Sequence, residues 1–350
     1  MTNRRAFLKA TGGAALVCGA FGAYGQAAPK RVTVGGRRVT VVDVHAHCLF
    51  PEVASRVPNV RVPRAAPPSL VLGPERIAAM DERGIDVQAL SVNTYWWYSA
   101  SRDDARTVVA MHDEGIAAWC KQHPTRFVGL SSVALQFPDL AAEQLEHAVK
   151  NLGARGASIG GHVSNEPPTS EKYDAFWATA EELGVPVFMH PNNALNIARE
   201  GALDGRGGLG NIVGNPLETT VFLSRMIFDG TLDRFPRLKL CAAHGGGYMP
   251  SYLGRSDAAC IVRDDANCAN KRKPSEYFKD QVVVDSMVFS SEGLRHLVAE
   301  TGVTQVVYGS DLPYFWPDTI DIIVEAPFLT NDAKEAILGG NLKHMLRIEG

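Results

Sequence analysis

Residues 39–47 read VTVVDVHAH, a run of valines closing on two imidazoles one residue apart. In a β-strand, residues i and i+2 share a face, so His45 and His47 leave the strand on one side, close enough to serve one metal ion. Taken alone, such a pair is equally a polar step where a strand meets a loop. The later strands, and the residues that end them, decide between the two.

Seven more short apolar runs follow: DVQALSV (86–92), RFVGLSSV (126–133), GASIGG (156–161), VPVFMH (185–190), LKLCAAH (238–244), QVVVDSM (281–287) and TQVVYGSD (304–311). Longer amphipathic segments separate them. PDLAAEQLEHAVKNLG and SEKYDAFWATAEELG open on Pro138-Asp139 and Ser170 and close on Gly153 and Gly184, residues suited to starting and stopping helices. Strands alternating with helices predict parallel βαβ units. Eight such units predict an α/β chain folded as a (β/α)₈ TIM barrel over 39–350. No GxGxxG follows the first strand, which argues against a dinucleotide-binding sheet.

In such a barrel the chemistry gathers at the carboxyl ends of the strands. Strand 1 ends in His45 and His47, strand 5 in His190, strand 6 in His244 and strand 8 in Asp311. Four strand ends carrying His or Asp toward one mouth predict a metal site. Imidazoles with a carboxylate suit Zn²⁺, with Mn²⁺, Fe²⁺ or Co²⁺ compatible, whereas Mg²⁺ and Ca²⁺ prefer oxygen shells. Strand 4 supplies no lysine or glutamate to bridge a second ion, so one metal is expected. Asp311 can orient and deprotonate a water there, and His244 can polarise a substrate oxygen or shuttle a proton.

The 350 residues are 45% hydrophobic and 21% charged with a net charge of −3, an ordinary globular composition. No basic block points to nucleic acid, and no apolar run is long enough to span a membrane. Residues 1–28 differ: Arg4-Arg5, then Phe7-Leu8-Lys9, a glycine- and alanine-rich stretch and small residues near Gly25 to Ala28. This resembles a twin-arginine signal peptide, implying export of folded protein to the periplasm or beyond by the twin-arginine machinery. Cys18 leaves lipid attachment open. The other five cysteines show no CxxC spacing; Cys120 and Cys241 sit in apolar stretches, and Cys260 and Cys268 could pair in an oxidising compartment.

With these motifs in place, the chain resembles the amidohydrolase superfamily, whose barrels are metal-dependent hydrolase-like. HPTRFVGLSSVAL, LGVPVFMHP, GNPLETT, RFPRLKLCAAHGGGYMPSYLGR, YGSDLPY and GGNLKHML are similar to its aminocarboxymuconate-semialdehyde decarboxylase branch, over about residues 41–346. The resemblance implies a cofactor-free carboxy-lyase acting on an aromatic or unsaturated carboxylic acid. It also implies His45, His47, His190 and Asp311 as metal ligands, with His244 as acid/base. A hydrolase of an ester, lactone or amide, using hydroxide generated at the same metal, is the alternative.

Two departures bear on the substrate. Pro191-Asn192-Asn193 stands where the decarboxylase carries a tryptophan, and its basic segment after strand 1 is not recognisable in PEVASRVPNVRVPRAAPP. Aromatic residues in the loops after strands 2 and 8, Trp96, Trp97 and Trp316 among them, are candidates for walling a planar substrate. Arg255 matches an arginine that, in the resembled branch, reaches a neighbouring subunit's substrate carboxylate, which implies a homodimer; a surface salt bridge is its other reading.

Overall fold

The computed structural model describes residues 28–63, 68–191, 194 and 197–349. The twin-arginine segment at 1–27 lies outside the described residues. A small antiparallel hairpin of β1 (Thr33–Val34) and β2 (Arg37–Arg38) precedes the main body.

All eight predicted strands form. They are β3 (Val42–His47), β4 (Val87–Ser91), β5 with β6 (Phe127–Gly129 and Ser131–Ser132), β7 (Ala157–Ile159), β8 (Val187–Met189), β9 (Leu240–Ala242), β10 (Val282–Asp285) and β11 (Val306–Val307). β3-β4-β5 make one parallel ladder and β6-β7-β8-β9-β10-β11 another. At one seam Leu130 N donates to Leu90 O and Ser131 N to Gly156 O, both at 2.9 Å, so residues 127–132 pass as one strand from β4 to β7. At the other, Val44 N donates to Tyr308 O at 3.2 Å and His47 N to Leu312 O at 2.8 Å, and Ala46 bridges Leu312 in parallel. These contacts bring the eighth strand beside the first.

Helices cover the outside, and their ends follow the sequence. Pro74–Arg83 stops at Gly84, which is left-handed (φ 82°); Ser101 caps Arg102–Gln122 by accepting from Asp104 N; Pro138 opens Pro138–Asn151. Ser170 opens a short 3₁₀ turn, Glu171–Tyr173, that leads into Asp174–Leu183 and stops at Gly184. Inside the barrel, Val42, Val44, Phe188, Cys241, Val283 and Val307 form a compact apolar plug. The active end lies above this plug.

Candidate metal centre

β3 does not keep a simple alternation. Val42 and Val44 point into the barrel, which by parity would turn His45 and His47 outward. The β3–β4 register shifts between Asp43 and Ala46, and after this bulge Ala46 and Cys48 face the helices. The bulge therefore re-aims both histidines at the mouth, a common use of an extra residue beside a site. Gly309 makes room: a Cβ there would lie 3.0 Å from His45 Cβ and 2.9 Å from Asp285 Cβ.

His45, His47, His190 and Asp311 are buried and bring one donor atom each within 4.8 Å of one another. His47 Nε2 lies 2.6 Å from Asp311 Oδ1, and His45 Nε2 lies 3.1 Å from the same oxygen without hydrogen-bonding geometry. Such crowding of imidazole nitrogens around one carboxylate, with His45 Nε2 left without a hydrogen bond, fits ligands converging on a cation. Electrostatics agree. Burial lowers His47 and, as the largest cause, holds His190 well below its ordinary pKa, which favours the neutral imidazole that a metal ligand requires. For His45 burial pulls down, but Asp311 and Asp285 on either side lift it to about 10. Despite its own burial, Asp311 sits well below the carboxylate range because His45 and His47 favour its anion. The four donor atoms are close enough together that they could hold a metal ion.

His244 follows β9 on the same rim. Its ring centroid is 5.2 Å from that of His45 and 5.4 Å from that of His190. Burial, then the charge on His45, lowers its pKa to about 4, so it is uncharged at neutral pH. His244 (φ 56°) and Asp311 (φ 59°) both adopt the left-handed backbone that side chains rarely take, as groups held for a task often do.

Above the donors opens a cavity of about 550 Å³, walled by Asn93, Thr94, Asn211, Asn215, Tyr314 and Trp316. Trp316 thus reaches the cavity and stacks on Phe289 at 5.3 Å. Trp96 instead stacks on Tyr98 (12° between planes) against Gly160, and Trp97 is 1% exposed in the core beside Tyr95 and His112. Arg255 lies exposed on the helix Met249–Val262, outside this chain's cavity wall. A larger cavity of about 860 Å³ sits at the opposite end of the barrel, among Val185, Lys239, Gln305 and Lys343, far from the chemistry.

Two buried carboxylates were missed by the sequence reading. Asp43 accepts from the backbone of His45 and Ser310 and from the Ser310 hydroxyl and Gln88 amide. Asp285, at the end of β10, accepts from His45 Nδ1 at 2.7 Å. The signal for Asp285 was present: VVVD is an apolar strand closing on a polar residue, as at strands 5 and 8. The polar amides of the cavity wall carried no comparable pattern. Cys260 and Cys268 are disulfide-bonded, and Cys48 and Cys241 are buried thiols.

The amidohydrolase family model matches residues 42–348, and the chain belongs to that family. It is 31% identical to 2-amino-3-carboxymuconate-6-semialdehyde decarboxylase of Dictyostelium discoideum, over 78% of this chain and 76% of that one. It is 28% identical to gamma-resorcylate decarboxylase of Polaromonas sp. (strain JS666), over 84% and 93%. Among solved structures it superposes on 5-carboxyvanillate decarboxylase from Sphingomonas paucimobilis with a TM-score of 0.81 at 26% identity, covering 89% of this chain and all of that one.

Proposed function

We propose that this protein is a metal-dependent, non-oxidative carboxy-lyase that removes CO₂ from an aromatic or unsaturated carboxylic acid. The observation that carries the reading is the placement of His244, an uncharged imidazole on the cavity rim whose ring centre lies about 5 Å from those of His45 and His190. The similarity to decarboxylases with three different acid substrates supports it. A bound divalent ion would supply positive charge that draws the substrate's carboxylate and a neighbouring oxygen to the donor cluster.

This chain's own groups then have defined work. As the carbon–carbon bond to the carboxyl group breaks, the carbon left behind must gain a proton. His244 is placed to receive a proton from the cavity and pass it to that carbon. Asp311, held anionic, orients the groups that meet the ion. Trp316 and Tyr314 flank a planar substrate, and Asn93, Asn211 and Asn215 offer uncharged hydrogen bonds to its hydroxyl or carbonyl oxygens.

The ion is proposed to be zinc, which suits three imidazoles and one carboxylate; manganese, iron(II) and cobalt(II) fit the same donors. We further propose a homodimer in which Arg255 pairs with a carboxylate in the partner's cavity. Its support is the helix Met249–Val262, which exposes Tyr252, Ile261 and Val262 beside Arg255. Export by the twin-arginine route is proposed on Arg4-Arg5 and is supported by the Cys260–Cys268 disulfide, a bond that persists in oxidising compartments. Profiling metal-loaded protein against hydroxybenzoates and unsaturated acids, while following CO₂ beside acid release, tests the reaction class. CO₂ evolution is expected; acid release from esters or lactones without CO₂ would overturn it.

A further inference from the structure

Asp285 belongs neither to the donor cluster nor to the cavity wall, yet it touches both halves of the site. It is fully buried at the end of β10, and its two oxygens accept four hydrogen bonds. Oδ2 accepts from His45 Nδ1 at 2.7 Å and from His244 N at 3.0 Å. Oδ1 accepts from Gly245 N at 2.8 Å and from Met287 N at 3.1 Å.

Each bond has a consequence. A carboxylate facing Nδ1 makes that nitrogen the protonated one, which leaves the Nε2 lone pair of His45 facing Asp311 and the ion site. The contacts to His244 N and Gly245 N grip the turn that carries His244, while the bond from Met287 N fixes the carboxylate to its own chain. His244, Gly245, Gly246 and Gly247 are all left-handed (φ 56°, 63°, 74° and 65°), a run with little intrinsic preference for that shape at the histidine. Successive backbone N–H groups in such a turn converge on one anion. Here the anion is Asp285.

We propose that Asp285 is a positioning residue that couples the metal ligand His45 to the acid/base His244, fixing the tautomer of one and the backbone turn of the other. The inference rests on the metal-site reading above. Asparagine has the right size but the wrong chemistry. With its oxygen toward Gly245 and Met287, its NH₂ confronts the His244 N–H and forces His45 to move its proton onto Nε2. With the amide flipped, NH₂ confronts two backbone donors instead.

Asp285→Asn is therefore expected to weaken metal affinity about 10- to 100-fold in chelator competition, the scale of an outer partner of a metal-binding histidine. Turnover at saturating metal should stay at least tenfold low, because the His244 turn is also released. Metal affinity within twofold of wild type, or full turnover once metal is restored, would overturn the proposal. Should the variant fail to fold, wild-type protein still decides: ¹⁵N-histidine NMR of the metal-loaded chain should show His45 protonated at Nδ1, whereas a metal-loaded His45 carrying its proton on Nε2 would refute it. Failure of the underlying reading is distinct, since wild type itself would then bind no ion.

Discussion

Stripping the divalent ion should lower the unfolding temperature by several degrees, by an amount the site allows to be worked out. His45, His47, His190 and Asp311 are all buried, and without an ion they meet mainly one another. Unfolded chain has no such cluster, so the ion binds the native state alone and stabilises it by about 4 kcal/mol at a thousandfold excess over Kd. At about 2.1 cal/mol/K per residue, a domain of roughly 310 residues has an unfolding entropy of about 0.65 kcal/mol/K. The expected shift is thus about 6 °C. His190→Ala removes the donor on the β8 end; if affinity falls about a hundredfold, the same metal concentration leaves about 1.4 kcal/mol, or about 2 °C. Calorimetric or circular-dichroism melts of chelated protein, reloaded stepwise, read both shifts. Coincident melts of chelated and reloaded wild type, or a full shift in His190→Ala, would refute the reasoning.

Other predictions follow from single groups. Arg255→Lys should raise KM with little change in metal content, because an ammonium cannot reproduce the bidentate guanidinium–carboxylate fork; mixing it with His190→Ala chains should restore activity if sites are shared, and no rescue from a monomeric protein would count against the shared site. Changing Arg4 and Arg5 to lysine should leave active protein in the cytoplasm, as cell fractionation would show; normal delivery would exclude the twin-arginine route. Asp113, buried with its carboxylate on Ser131 Oγ at 2.6 Å, is raised by burial to about 7. Its favourable contribution is fully present below the unfolded pKa near 3.8 and is lost as pH rises through about 7. Asp113→Asn should therefore flatten the loss of thermal stability between about pH 4 and pH 7, a loss of up to on the order of 4 kcal/mol; an unchanged pH profile would assign that loss elsewhere.

The barrel was legible because most strands are short, largely apolar runs buried on both faces, and such runs stand out between amphipathic helices. The donors were legible for a related reason: His190 and Asp311 are polar residues ending apolar strands, where a barrel has no structural use for them. The i, i+2 argument placed His45 and His47 on one face, as they are, but by an incomplete route. Val42 and Val44 already occupy the inward positions, and only the shift between Asp43 and Ala46 turns the imidazoles inward. A bulge is set by both strands, so neither alone announces it. The aromatic loop shows the opposite limit. Trp96, Trp97 and Trp316 look alike as letters, yet only Trp316 walls the cavity, because burial of a large ring depends on what packs beside it. Asp285 was passed over because its partners, His45 and the turn at His244, lie 240 and about 40 residues away along the chain.

The claim that this metal centre removes CO₂ is tested most directly by the fate of solvent atoms during turnover. Metal-loaded protein should be run in deuterated, ¹⁸O-enriched water on whichever acid the substrate profile selects. Carboxyl loss predicts one CO₂ per substrate consumed and one deuterium on the carbon that carried the carboxyl group, delivered through the exchangeable proton of His244. Absence of CO₂, with solvent ¹⁸O appearing in a product carboxylate, would contradict the lyase and establish hydrolysis at the same donors.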